Sequence, residues 1–203
     1  MNKTISTASS EVYLQNYKGD LQKFFAEVYG ITNLSDVSLK ETEKFVHYMI
    51  KPSNLDADSI YGGFSKLGYG GLVRKYMDYT DSRKNTVFGS VVQKKTSEQT
   101  RPISTYVFAH KGGIEPDEQY LGKTYKDFIE NGTFMTIDEY MLVHQFMYWR
   151  FKVRLGINFG FTLTTSLDNG EVMTGGFGSG FQLHWSDQYD RNPRSGPRSI
   201  VIF

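Results

Sequence analysis

Residues 151–185 read FKVRLGINFGFTLTTSLDNGEVMTGGFGSGFQLHW, and the architecture turns on how this stretch is folded. Its odd positions Phe151, Val153, Leu155, Ile157, Phe159, Phe161 and Leu163 are apolar. The even positions Lys152, Arg154, Gly156, Asn158, Gly160, Thr162 and Thr164 are small or polar. Alternation of this length marks a strand with one buried face. Beyond Asp168-Asn169-Gly170 the odd positions are apolar again at Met173, Phe177, Phe181, Leu183 and Trp185. The stretch therefore predicts one long antiparallel hairpin over about 151–185.

Parity selects the turn. A two-residue Asn169-Gly170 loop would set odd positions against even ones, Phe161 opposite Gly178, and split the apolar set between two faces. A three-residue loop, 168–170, with Gly170 left-handed keeps the set together. It pairs Phe161 with Phe177, Ile157 with Phe181, Leu155 with Leu183 and Val153 with Trp185. The other face then gathers Gly156, Asn158, Gly160, Gly176, Gly178 and Gly180. Glycines inside strands mark a bend or the close approach of another backbone. This bare face is expected to be either a strongly twisted ribbon or an interaction surface. Strands of about 15 residues would span roughly 50 Å, well beyond a radius of gyration of about 17 Å for such a domain. A ribbon of that length curls around its own core or reaches for a neighbour.

Upstream, Thr136 and Glu139 form a capping box, with Met135 and Tyr140 at the positions of a hydrophobic staple. They open a helix from Ile137 to about Arg150 that is apolar on most sides and should be the central buried one. A short helix is expected near Thr124 to Glu130, stopped at Asn131-Gly132. From Thr86 the texture is β, and TVFGSVVQK with Pro102 to His110 predicts an antiparallel pair. Asp20 caps a helix carrying Leu21, Phe24, Phe25 and Val28, with Gly30 as its stop. Ser38 and Glu41 suggest a second helix carrying Phe45, Val46 and Met49 and ending before Pro52. Glycines at 62, 63, 68, 70 and 71 argue for a broken helix or loop over Ser59 to Gly71, followed by a short helix at Leu72 to Tyr79. Residues 1–16 read as a polar arm, mobile or ordered by a partner, and 17–203 as a single domain. The terminal run Ile200-Val201-Ile202-Phe203 must pair within its own sheet or be donated to another subunit. The expected fold class is α+β: one domain, with helices packed on an antiparallel sheet.

Composition narrows the function classes. At 203 residues with 39% hydrophobic side chains, the chain supports one sizeable core. Its formal net charge of +1 gives no long-range steering toward nucleic acid or an anionic membrane. The absence of cysteine removes disulfides, thiolate nucleophiles and cysteine-ligated metals. With no apolar leader at the N-terminus, a cytoplasmic protein, or one assembled there into a virion, is expected.

Candidate chemistry is sparse. His47, His110, His144 and His184 lack metal-ligand spacing, so no metal or other cofactor is expected. His144, on the apolar helix, reads as a core histidine. His184, with Asp187 nearby, is the best-placed pair for acid–base work. Arg191, Arg194 and Arg198 punctuate a loop suited to contacting an anion or another subunit. The glycine strings at 62–71 and 174–181 lack the strand-to-helix setting of a phosphate loop. The expected function is non-enzymatic: a structural or interaction protein in a multi-subunit assembly, such as a phage virion or tail connector component. It would partner other protein subunits, as a homo-oligomer or within a larger assembly. Two alternatives are an enzyme acting on a phosphate-bearing or nucleotide substrate, and an inhibitor or effector of one host protein.

Overall fold

The computed structural model describes residues 7–34, 37–42, 45–68, 73–74, 95–96, 100–167, 171–177 and 181–203. The α+β class holds, as a mixed single chain with two sheets where one was expected. The helices are α1 (Thr7–Tyr29), α2 (Ala57–Lys66), α3 (Tyr125–Ile129) and α4 (Ile137–Phe151). The first sheet has the order β1-β4-β9, formed by β1 (His47–Lys51), β4 (Tyr106–His110) and β9 (Ile200–Ile202), and is antiparallel throughout. The second runs β2-β7-β6-β5-β3, with β8 also on β5. Its core is β5 (Gly160–Leu167), β6 (Glu171–Phe177) and β7 (Phe181–Asp187). The two-residue strands β2 (Val73–Arg74) and β8 (Ser195–Gly196) join it in parallel, and β3 (Lys95–Thr96) joins antiparallel.

Helix α4 is the hub. It packs on α1 and α2, on β1 of the first sheet and on β5 and β6 of the second. Every residue from Glu139 to Met147 is buried, as the all-round apolar pattern predicts for a helix covered on all sides. The capping box is formed: Thr136 Oγ1 accepts from Glu139 N, and the Glu139 carboxylate accepts from Thr136 N at 2.7 Å. Burying that carboxylate requires compensation. Arg101 supplies it through Nε at 2.7 Å and Nη2 at 3.1 Å, and the Tyr106 hydroxyl donates at 2.8 Å. Burial, the largest influence, pushes the Tyr106 hydroxyl pKa up, and the neighbouring carboxylate pushes it further.

Glycine permits two close approaches to α4. A Cβ on Gly63 would crowd Gln145 Oε1 and the Tyr29 hydroxyl, so glycine lets α2 seat against the hub without displacing them. A Cβ on Gly175 would lie 2.5 Å from Tyr140 Cε1, so β6 lies directly under the Tyr140 ring. This also decides the register. Phe161 packs on Tyr140 with ring centroids 5.1 Å apart, and its partner across the ladder is Gly175, not the expected Phe177. Near the turn, Ser166 stands opposite Val172, the register of a three-residue connection, and an irregularity between Thr162 and Ser166 then shifts the pairing. The turn at 168–170 lies outside the described residues.

Three further expectations are corrected. The single ribbon is a three-stranded meander, because the chain reverses again and pairs Phe177 with Phe181. Its first part is not strand at all: α4 runs through Phe151, and Lys152 in a left-handed conformation (φ 58°) ends it. The pairs Ile157 with Phe181, Leu155 with Leu183 and Val153 with Trp185 therefore do not form, and Leu183 faces Gly175 while Trp185 faces Met173. The helix expected after Ser38 does not form among the described residues 38–42 and 45–46, and the chain enters β1, where Tyr48, Met49 and Ile50 are buried in succession. A run of consecutive apolar residues covered on both faces is strand logic.

At the N-terminus, Thr7 to Asn16 continue α1, so Asp20 is not a cap but lies mid-helix, 2.7 Å from Arg150. Strand β4 pairs with β1 and β9, and the partner expected for it was the segment from Thr86. Most of that segment, and of Leu72 to Tyr79, lies outside the described residues. Helix α3, with its Thr124–Asp127 capping box, and the terminal strand β9 stand where the sequence places them, and β9 is held by the chain's own sheet.

Candidate functional site

Helix α4 ends in a sequence of alternating rings and cations, Tyr148-Trp149-Arg150-Phe151-Lys152-Val153-Arg154. Arg150 is committed inward: it pairs with Asp20 and lies 4.5 Å over Tyr17 and 4.8 Å over Phe151. After Lys152 the chain crosses back over β6 as a strap, 153–159. Leu155 points into the core, while Ile157 stays 51% exposed and Phe151 44% exposed.

The strap lies flat because of the glycines that the sequence marks. Gly156 has φ +69°, and a Cβ there would sit 3.0 Å from both Gly176 Cα and Phe159 O. Phe177 N donates to Gly156 O at 2.8 Å, and Gly156 N donates to Ile114 O at 2.7 Å. Gly160 is equally close-packed: a Cβ there would sit 3.0 Å from Thr174 Cγ2, and its N–H donates to Arg194 O at 2.7 Å. The bare face at Gly156, Gly160 and Gly176 is thus closed by this chain's own backbone, as glycine-to-glycine approach allows. Gly178 and Gly180 lie outside the described residues. Asn158 is exposed, and its amide and backbone N–H donate to Glu115 Oε1 at 3.0 and 3.2 Å.

Arg198 holds the clamp from below. Expected in a solvated anion-contacting loop, it is instead 2% exposed. Its guanidinium donates to the carbonyls of Gly112, Gly113 and Glu115, lies 5.2 Å over Phe161 and stands 4.0 Å from Asp117. A planar five-donor fork can organise three carbonyls of one loop at once. The loop it organises carries Ile114 O and the Glu115 carboxylate, which grip the strap. Sequence reasoning missed this role, since a buried arginine and a surface one look alike in a Pro/Gly-rich run.

The other predicted site residues do not converge. Arg191 is exposed and pairs with Asp127 at 3.4 Å, and Arg194 is exposed. Asp187 is exposed, and its carboxylate accepts from Tyr189 N at 2.8 Å, closing a local turn. His184 lies in β7 opposite Thr174. His144 is fully buried among Phe64, Tyr140, Phe177 and Phe181, and burial pushes its imidazole pKa down to about 3. Among the described residues no three histidine or acidic side chains are gathered as a metal site, and no helix is long and apolar enough to cross a membrane.

What the strap creates is a groove of about 570 Å³, lined by Ile114, Tyr148, Lys152, Val153, Arg154 and Ile157. Arg154 lies 4.5 Å over Phe177 and 5.8 Å over Tyr148. Along α1, Tyr17, under Arg150, packs on Tyr13, and the Tyr13 hydroxyl donates to Val46 O. Val12, Tyr13 and Val46 are all exposed. A second concavity, about 630 Å³ between Ile31, Lys40, Thr105 and Phe203, has Lys40 as the one charged side chain among the described residues that line it. Scans against protein-family models, curated proteins and solved structures found no match to this chain.

Proposed function

We propose that this protein is a non-enzymatic interaction protein, a component that binds other protein subunits of an assembly through the face at the end of α4. One observation carries the reading. Val12, Tyr13, Val46, Phe151 and Ile157 are five of the seven exposed large hydrophobic residues among those described. Three of them gather at the end of α4: Tyr13 and Phe151 pack about the Tyr17–Arg150 pair, and the Tyr13 hydroxyl donates to Val46 O. Single apolar residues on a surface need no explanation, whereas several gathered at one place are what binding faces use. The clamped strap adds rigidity, which lowers the ordering cost of association. A homo-oligomer or a larger body such as a phage virion or tail connector, assembled in a cytoplasm, is the setting that suits a rigid, cysteine-free subunit of this kind.

The enzyme alternative draws no support from Arg198, which is committed to backbone carbonyls, or from Asp187, which closes its own turn. Native mass spectrometry of the purified full chain tests the reading. We expect oligomers whose population rises with concentration and collapses in Phe151→Asp. A wild-type chain that stays monomeric throughout contradicts it.

A further inference from the structure

We infer that the groove beside the strap receives an acidic, apolar segment of a partner protein, with Arg154 as the carboxylate anchor. The inference rests on the binding reading above and adds the chemistry of the ligand. The groove has an apolar floor and wall in Ile114, Val153 and Ile157 and two cations at its rim, Lys152 and Arg154, with no carboxylate among the described residues that line it. Two carboxylates of the adjoining segments are engaged: Asp20 holds Arg150, and Glu115 holds Asn158 and the Phe159 N–H. Arg154 forms no ion pair among the described residues; its contacts are the faces of Phe177 and Tyr148.

A guanidinium lying over two rings is held in place while its N–H edge stays available for two-point bonding to a carboxylate. Lys152 lies at the carbonyl end of α4, where its own ammonium donates to Trp149 O at 3.3 Å, and it adds a second, less directional charge. An apolar side chain of the partner then fills the space between Ile114, Val153 and Ile157. The charge match gives orientation and the apolar contact gives the bulk of the affinity. A nucleic-acid strand fits less well, because it needs a track of cations along its phosphates and this groove offers two cations over an aliphatic floor.

The test pans a random-peptide display library on the immobilised full-length chain, then measures the enriched peptides by fluorescence anisotropy. Wild type is compared with Arg154→Gln, Lys152→Gln and Ile157→Asp, each checked for an unchanged circular dichroism spectrum and melting temperature. We expect enriched sequences to combine aspartate or glutamate with leucine or phenylalanine. Binding should fall about tenfold or more in Arg154→Gln, fall in Ile157→Asp, and weaken with added salt. Enriched peptides that are basic or neutral, yet lost in Ile157→Asp, overturn the inference and leave the binding reading standing. Peptides indifferent to Arg154→Gln and Ile157→Asp, or no enrichment at all, overturn the inference, and the binding reading then stands or falls on the concentration-dependent association of the wild-type chain. A labelled single-stranded oligonucleotide forms a separate arm, and tight binding of it lost in Arg154→Gln overturns the peptide assignment.

Discussion

Replacing Gly156 by alanine should unseat the strap, and two terms set the size of the effect. The residue sits at φ +69°, where a side chain costs about 1–2 kcal/mol. The new Cβ would also meet Gly176 Cα and Phe159 O at 3.0 Å, and both are backbone atoms that move only with their strands. Relieving that contact lengthens the Phe177 N to Gly156 O bond, a further ~1 kcal/mol or more. The sum is about 2–4 kcal/mol, or roughly 5–15 °C in melting temperature for a chain of this size. Gly30→Ala is the control, since Gly30 has φ +71° but nothing within 4 Å of its Cβ, so it carries the conformational term alone. Thermal and urea unfolding of both variants separate the terms. Equal losses in the two would refute the argument that the strap is seated by glycine-to-glycine contact.

Other consequences follow from the same packing. Glu139→Gln should cost about 3–5 kcal/mol in urea unfolding, because it leaves the Arg101 guanidinium inside without its charge partner. Stability should fall with acid through His144. Above about pH 7.5 both folded and unfolded imidazoles are neutral, and below the ordinary value of 6.5 the unfolded chain takes up a proton that the fold refuses until about pH 3. The loss approaches ~1.4 kcal/mol per pH unit well below pH 6.5; His110 and His47, also lowered by burial, add to it, and His144→Phe, filling the same aromatic cage, should reduce the slope by the share of one imidazole. Gly19→Ala, in the middle of α1 with open space at its Cβ, should stabilise by about 0.5–1 kcal/mol in the same assay.

The sequence disclosed α4, α3 and the terminal strand because their signals are local. A capping box or a glycine stop is readable from a few residues. The meander was half legible. Its parity holds, since odd positions pair with odd ones on both sides of residues 178–180. Yet parity is blind to a reversal through an odd number of residues, so two hairpins read as one. Alternation was equally blind at 151–159, where a helix end and a left-handed Lys152 carry the same odd-even text as a strand. At Gly156 and Gly176, two of the glycines that the alternation gathers on one face, the backbone that comes close is the chain's own strap. The groove went unread because Lys152 and Arg154 looked like the polar face of a strand. The clue was present in the rings and cations of 148–154, which a strand with one buried face does not require.

The most direct measurement of the binding face is side-chain footprinting by fast photochemical oxidation, on the associated and the diluted protein. The account predicts that Phe151, Ile157 and Tyr13 lose reactivity on association, while Ile103 and Tyr189, 96% and 60% exposed elsewhere on the surface, keep theirs. Protection of Ile103 or Tyr189 with unchanged reactivity at Phe151 and Ile157 would contradict it.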